Sequence, residues 1–445
     1  MNYLDRFHIL SQAADWDAAA PTPLIDHPET KFPEINSSCN AKSEICQDAA
    51  YNICKVKRLG GGSVPILKIL LSNACSYNCA YCVNRRSSNI KRASFQPEEL
   101  ARTIADFNAR GIISGAFISS GVIGTPDNTM ERLVWTAQTL RERYGYKGYL
   151  HLKVIPGASP ELVKLAMRYA TRVSVNIELP TEESLVRIAP DKSADSILSP
   201  MMTIYGRLRE LEEPNRSKKP LQKISVNDQA AEMSAGQTTQ LIVGASPESD
   251  NTILSLAYHL YRDFDVRRVY YSAFRPDGTD PSLPRLAAPP YIREYRLYQA
   301  DMLFRWYGFE PIELFEEQDS LDEDLDPKTS WALRHLELFP VELMTADYEE
   351  LLHIPGIGPK AARRILQMRK NGRLEFSSLK KLHIPTRKTA CFITINGKTS
   401  PDEFYRSGYS IEGQKLENPE MLREMLREKN QPPSSIQQEF DFLSR

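Results

Sequence analysis

ILKILLSNACSYNCAYC, residues 66–82, joins an apolar, β-branched run to three closely spaced thiols. ILKILL reads as a buried strand, and SNA carries the chain out of it into a loop. Cys75, Cys79 and Cys82 then follow at x3 and x2 spacing. With 7 cysteines in 445 residues, such a triplet arises by chance in about two chains per thousand. Clustered thiolates at the carboxyl end of a strand point to a metal centre. A structural zinc takes four protein ligands, and no fourth Cys or His follows nearby. Three thiolates on a four-iron cluster instead leave one iron open to a small molecule. Zinc with a distant fourth ligand, and three plain loop thiols, are the competing readings.

Outward from that strand, five more runs have the same character: GAFIS (115–119), GYLHLKVI (148–155), RVSVNIEL (172–179), TQLIVGA (239–245) and RRVYYSAF (267–274). Helical periodicity fills the gaps. Leu133, Ala137, Leu140 and Tyr144 recur at helical spacing, as do Ile197, Met201, Ile204, Leu208 and Leu211. Such stripes are helix faces packed on a sheet. Six alternating units predict an α/β fold with a parallel sheet and functional residues at the strands' carboxyl ends.

Composition narrows the classes further. Hydrophobic residues are 41% and charged residues 25%, ordinary for a globular chain of two or three domains at about 150 residues each. Lys+Arg is 56 against Asp+Glu 57, a net charge of −1, so the chain is not basic throughout. No apolar run approaches the roughly 18 residues of a membrane-spanning helix. MNYLDRFHILSQAADWDAA lacks the basic and apolar regions of a secretory signal. The odd cysteine count argues against a disulfide framework, and the expectation is a cytoplasmic protein. Cys39, Cys46 and Cys54 have spacings that match no zinc or ferredoxin pattern. They are read as reduced structural thiols, with a second cluster as the alternative. LGGGS (59–63) reads as a turn into the first strand.

The Cys75–Cys82 triplet, with Tyr81 just before the last cysteine, resembles the signature of the radical S-adenosylmethionine enzymes. The resemblance implies a partial (β/α)6 barrel of TIM type, with a [4Fe–4S] cluster on the three cysteines and S-adenosylmethionine on the open iron. In that superfamily one electron splits the sulfonium and leaves a 5′-deoxyadenosyl radical, which takes a hydrogen atom from substrate. The protein binds, orients and shields. On this resemblance the backbone around Tyr81 lies near the adenine. Ser119-Ser120-Gly121 stands where the superfamily often has a Gly-Gly-Glu segment that holds the methionine amino group, and departs from it. Asn176 and Glu178 stand where polar residues bond the ribose, and Gly244 where the backbone approaches adenine. Lys153 and His151 alternate onto one face of the third strand and are candidates to point into the barrel. Tyr271 and Arg275 are candidates to face substrate, with Asp277 or Asp280 as the competing partner of Arg275. For each polar residue the alternative is a side chain that satisfies strand-end backbone groups.

The composition changes after residue 310. Residues 310–326 hold nine acids and no base, the pattern of a solvated linker. Residues 351–390 hold ten Lys or Arg against Glu375 alone, a net +9. Within the basic region, TADYEELLHIPGIGPKAARRILQMRKNG (345–372) reads as a helix, a turn at Pro355-Gly356-Ile357-Gly358, and a second helix opening at Pro359. Amides at that helix start form an anion site, and Lys360, Arg363 and Arg364 add charge within the next turn. This resembles the helix-hairpin-helix motif, which implies that Gly356, Ile357, Gly358, Lys360, Arg363 and Arg364 contact backbone phosphates of DNA. SSLKKLHIPTRKTACFITI (377–395) reads as a degenerate second copy without the hairpin glycines. Phosphate contacts hold nucleic acid without reading its sequence.

Five runs (LLSNACSYNCAYCVNR, FISSGVIGTPDNTME, HLKVIPGASPELV, VSVNIELPTEESL and DPKTSWALRH) resemble one bacterial family of radical enzymes described as modifying or repairing DNA. The likeness spans roughly residues 40–400. It implies a cytoplasmic, nucleoid-associated enzyme that modifies or repairs a nucleotide in DNA, with chemistry like that of spore photoproduct lyase as one form. A one-electron reductant protein and a uracil-DNA-glycosylase-like protein are the implied partners. An RNA-modifying radical enzyme and a non-catalytic iron–sulfur DNA-binding or redox-sensing protein are the alternatives. The expected domains are an N-terminal segment (1–58), the barrel (59–309), an acidic linker (310–340), a small all-α helix-hairpin-helix domain (341–400) and a flexible tail (401–445) with a short helix near 417–428. Gln437–Leu443 (QQEFDFL) resembles peptides that bind the bacterial sliding clamp.

Overall fold

The computed structural model describes residues 1–14, 53–57, 63–216, 235–276, 280–370, 372, 374–399 and 419–427. Cys39, Cys46, Asp277, most of the LGGGS turn and the Gln437–Leu443 stretch lie outside these residues. The described residues form two compact units, one within 1–248 and 259–290 and the other within 249–258 and 291–432.

In the first unit, β1 (Ile53–Lys57), β2 (Ser63–Leu70), β3 (Gly115–Ser119), β4 (Tyr149–Lys153), β5 (Arg172–Ser174), β6 (Gln237–Val243) and β7 (Val266–Ala273) form one sheet in sequence order. From β2 to β7 every pairing is parallel. The additional β1 pairs antiparallel with β2, with the buried Cys54 thiol opposite Ile66. Helices α1 (Tyr3–Ala13), α2 (Pro97–Ala109), α3 (Pro126–Gln138), α4 (Pro160–Tyr169), α5 (Glu182–Ile188) and α6 (Ala194–Arg216) accompany the strands, and α7 (Asp250–Phe264) has its first half in the second unit and its second half in the first. Proline opens α2, α3 and α4, where its missing amide costs nothing. Thr125 and Thr181 cap α3 and α5 by accepting from Asn128 and Ser184. Leu133, Ala137 and Leu140 of the first predicted stripe, and Ile197, Met201 and Ile204 of the second, are buried.

Packing across the sheet fixes its inner face. Ile66, Phe117 and Tyr270 form one buried cluster, although β7 is the far edge from β2 and β3. The sheet therefore curls round on itself as a partial barrel. Alternation then places Lys68, Ser119 and Arg268 inward. His151 joins them by edge contact with the Phe117 ring at 4.5 Å, and Lys153 shares its face. Gln240 lies opposite Tyr270, and Asn176 donates to Gln240 Oε1 at 3.2 Å. Tyr271 alternates onto the other face, fully buried; the inward tyrosine is Tyr270.

The fourth predicted strand is shorter than RVSVNIEL suggests. Regular pairing stops at Ser174, and the chain bridges β6 again at Glu178. There Glu178 N–H donates to Gln240 O at 2.9 Å, and Ile242 N–H donates to Glu178 O at 2.7 Å. Glu178 has φ +68°, a left-handed conformation uncommon for a side chain of its size. That backbone aims its carboxylate away from the regular pleat.

The second unit contains α8 (Tyr291–Trp306), α9 (Pro311–Leu314), α10 (Pro327–Arg334), α11 (Tyr348–His353), α12 (Pro359–Lys370), α13 (Phe376–Lys381), α14 (Thr386–Thr389) and α15 (Pro419–Leu426). It is not all helical: β8 (Val341–Glu342), β9 (Ile393–Ile395) and β10 (Lys398–Thr399) make a small sheet. The acidic run, read as a solvated linker, is packed. Leu314, Phe315, Leu321 and Leu325 are buried between its carboxylates, and Asp322 pairs with Arg423 of α15. Apolar residues at intervals of one to six positions anchored what the charge count read as free. Among the described residues no helix is long and apolar enough to cross a membrane.

Candidate cluster site and nucleic-acid interface

Cys75, Cys79 and Cys82 lie on the irregular segment that follows β2, at the carboxyl end of the parallel sheet. Three neighbours hold that segment by its backbone. From the loop after β3, Val122 O accepts from Ser76 N–H at 2.8 Å, and Ser72 O accepts from Gly121 N–H at 2.7 Å. A Cβ on Gly121 would stand 2.6 Å from Ala74 O and 3.1 Å from Cys75 Cβ, so only glycine permits this approach. From the end of α5, Ile188 O accepts from Ala80 N–H at 2.8 Å, and Asp191 Oδ2 accepts from Asn78 N–H at 2.6 Å. The third fastening is Arg92, whose guanidinium donates to the carbonyls of Asn73, Asn84, Arg85 and Ser88 at 2.6–2.9 Å.

The thiols themselves suit metal-bound thiolates. Val122 N–H and Tyr77 N–H point at Cys75 Sγ at 3.3 and 3.4 Å, and hydrogen bonds to sulfur tune iron–sulfur centres. Burial pushes the Cys79 thiol up and the Cys82 thiol up to about 12. Sulfurs so hard to ionise become ligands where a metal supplies the opposing charge. Among the described residues no three His, Cys, Asp or Glu side chains converge as one metal ion requires; a cluster takes its thiolates on separate irons.

Beside the loop runs a buried ionic chain. Lys192 Nζ donates to Tyr81 Oη and to Glu178 Oε1, each at 3.1 Å. Lys153 Nζ stands 3.9 Å from the same carboxylate oxygen. Burial alone would lower Lys192, but Glu178 and Cys79 outweigh it and hold the ammonium above the ordinary lysine value. Asn176 Oδ1 is buried with no hydrogen-bond partner among the described residues, an acceptor open to a donating ligand. Ser119 is buried on the inner face, and Ser120 Oγ donates to Gly121 O at 2.7 Å. Gly244 (φ +85°) is crowded by Pro290, whose Cγ would lie 2.9 Å from an added Cβ; its freedom serves that contact. Arg275 follows β7, half-buried, while Asp280 accepts from Ser282.

In the second unit Asp347 and Glu350 form a capping box that starts α11. The chain turns at Gly356 (φ +83°), and Pro359 opens α12. A Cβ on Gly356 would overlap Thr389 Oγ1 and stand 2.8 Å from Pro385 Cγ. Thr389 Oγ1 also donates to Pro355 O at 2.9 Å, joining this hairpin to the second copy. There His383 takes the left-handed turn at φ +57° in place of a glycine. Ile357 is buried; Lys360, Arg363 and Arg364 are exposed on one turn of α12. Lys328, buried, donates to Leu352 O at 2.9 Å and Ile357 O at 2.5 Å. Burial lowers its pKa to about 7.

The first unit is thus a partial parallel barrel with three thiols on the loop after its first parallel strand. Residues 69–202 match the Radical SAM superfamily, and residues 341–367 match the Helix-hairpin-helix motif. Radical S-adenosylmethionine domains use a [4Fe–4S] cluster and S-adenosylmethionine. No curated protein matches the chain. Among solved structures, "Crystal structure of HydG: A maturase of the [FeFe]-hydrogenase" aligns with 59% of this chain at 14% identity and a TM-score of 0.39. The chain spans about half of that protein, 55% of its length.

Sequence reading missed Arg92, Lys192, Lys328, Tyr270 and Arg268. The lysine inside ILKILL was a visible signal, since a charge at an alternate position of an apolar strand marks a polar interior. Nothing local distinguished Arg92 or Lys192, whose partners are distant in the chain.

Proposed function

We propose that the chain is a radical S-adenosylmethionine enzyme acting on a nucleotide in DNA. The observation that carries this reading is the pairing, in one chain, of the cysteine loop with a hairpin whose helix start presents Lys360, Arg363 and Arg364. When bound, the cluster and S-adenosylmethionine supply a 5′-deoxyadenosyl radical able to abstract hydrogen. Cys75, Cys79 and Cys82 hold the cluster. Ser119 and Ser120 orient the methionine end, Asn176 and Glu178 accept from ribose hydroxyls, and the backbone at Tyr81 flanks the adenine. Lys153 and Lys192 hold the Glu178 carboxylate in place. Gly356, Ile357 and Gly358 offer backbone amides to a phosphate, and the three cations of α12 add charge. A base within a duplex leaves the stack to reach a barrel interior. Arg275, at the carboxyl end of β7, faces substrate in this reading. A reductant protein supplies the electron, and a glycosylase-like protein is the expected companion.

The deciding experiment is anaerobic. The cluster is reconstituted and reduced with S-adenosylmethionine, and 5′-deoxyadenosine is measured with duplex, single-stranded and damaged DNA and with RNA. Release that rises with one DNA class and is lost in Cys75→Ala, Cys79→Ala and Cys82→Ala supports the reading. Stimulation by RNA alone would make it an RNA enzyme. No product from an intact cluster would make it a sensor.

A further inference from the structure

One further row of inward side chains crosses the sheet, and within it only Lys153 has a role toward the cofactor, through Glu178. Lys153, Ser174, Thr238 and Arg268 stand opposite one another across β4, β5, β6 and β7. An irregularity between Gln237 and Thr238 in the β6–β7 register brings Arg268, not Arg267, opposite Thr238. The Arg268 guanidinium lies 5.4 Å from the ring centre of the inward Tyr270, and Arg268 is 3% exposed. Ser174 and Thr238 are fully buried. Ser174 Oγ and Thr238 Oγ1 have no hydrogen-bond partner among the described residues. Buried hydroxyls are normally satisfied, and those that are not mark a missing partner.

The row has a definite chemistry. Two hydroxyls flanked by an ammonium and a guanidinium offer donors at every position, which suits a group rich in acceptor oxygens. The acid beside it, Glu178, lies 3.9 Å from Lys153 and is also held by Lys192 at 3.1 Å, so it does not cancel the row's charge. Thr238 and Arg268 sit in the first half of their strands, below the level of the cysteine loop at the carboxyl end. We infer that this row binds a phosphate group carried by the substrate, held deeper in the barrel than the cofactor. The inference rests on the nucleotide reading above and narrows it: the unit that enters the barrel brings a phosphate with it.

The test uses the reconstituted full-length protein and three probes: thymidine, thymidine 5′-monophosphate and inorganic phosphate. The monophosphate is expected to bind at least tenfold more tightly than the nucleoside, and inorganic phosphate to compete with it. Ser174→Ala with Thr238→Val removes both hydroxyls at nearly constant volume. This pair is expected to weaken monophosphate binding about tenfold while leaving S-adenosylmethionine affinity and the melting temperature unchanged. Arg268→Lys, which keeps the charge, is expected to retain part of the preference. Equal binding of nucleoside and monophosphate, or binding of neither, overturns the inference. So does a pair variant that loses S-adenosylmethionine instead, since the row would then serve the cofactor's carboxylate. A fall in melting temperature matching the loss of binding also overturns it, because the hydroxyls would be structural. Phosphate selectivity without DNA-stimulated 5′-deoxyadenosine would keep the row and remove the DNA reading.

Discussion

Raising the pH from 7 to 9 is expected to stabilise the second unit by about 2 kcal/mol through a single side chain, Lys328. Its amino group is buried, bonded to Leu352 O and Ile357 O, and 4.6 Å from the centre of the Tyr307 ring. Burial lowers its pKa to about 7, against the opposing pull of Asp326. In the unfolded chain a lysine titrates near 10.4. Between those values the unfolded state holds a proton that the folded state has released. Stability therefore rises with pH, by at most about 1.4 kcal/mol per unit. At pH 7 half of the folded molecules are still charged, which brings the gain over two units down to about 2 kcal/mol. The contacts survive the change, since a neutral amine keeps two N–H groups for two carbonyls. The assay is urea unfolding of the full chain at pH 7, 8 and 9, in parallel with Lys328→Met. Trp16, Trp135 and Trp306 are replaced by phenylalanine so that Trp331 of α10 reports the unit. Other titrating groups are shared by both proteins and cancel in the difference. The gap between them should widen in favour of Lys328 as pH rises. A constant or narrowing gap would refute the reasoning.

Three further outcomes follow from the geometry. Gly121→Ala drives a Cβ to 2.6 Å from Ala74 O, so iron per chain after reconstitution should fall severalfold. Gly206→Ala, on α6 where the space is open and φ is not left-handed, serves as the control; equal loading in both would mean that the Gly121 contact does not shape the cysteine loop. Gly356→Ala combines a left-handed φ with overlap against Thr389 and Pro385, and should cost more than about 1 kcal/mol of stability. Its DNA affinity, read by fluorescence anisotropy, should drop about tenfold, and an unchanged affinity would separate the hairpin from binding. Lys360→Ala and Arg363→Ala should each lower the slope of log affinity against log salt by about 1, with no change in sequence preference. Slopes equal to the parent's would place the phosphate contacts elsewhere.

The fold was legible because its signals are local and periodic. Most parallel strands contain a short apolar or β-branched run, and helix starts carry proline, threonine or aspartate at capping positions. Tyr271 shows the limit. YYSA offers two tyrosines, and only the contact of Tyr270 with Ile66 and Phe117 says which one faces the barrel interior. Glu178 shows it again: a β-branched run predicts a continuous strand, while the structure breaks pairing after Ser174 and resumes it in a left-handed residue. The acidic run misled for a different reason. Charge density outweighed four apolar residues that anchor the segment. Arg92 and Lys192 depend on distant partners, which no window of sequence contains.

The fastening of the cysteine loop also bears on what kind of centre it is. A structural zinc site supplies the folding energy of its own segment, and the apo segment is unfolded. Here the segment is already tied by backbone bonds to the loop after β3 and to the end of α5, and by Arg92 to four carbonyls. Those bonds use none of the three sulfurs as a staple. Two amides instead point at Cys75 Sγ, a contact whose value lies in stabilising negative charge on sulfur. On the proposed reading, a loop tied by its own backbone bonds, with two amides directed at Cys75 Sγ, holds its sulfurs for a reactive centre and not for a structural staple. The glycine at position 121 belongs to the same logic, since it brings the loop after β3 against Ala74 and Cys75 and so sets where the first sulfur stands. The catalytic reading of the cysteines therefore rests on how their loop is held as much as on their spacing.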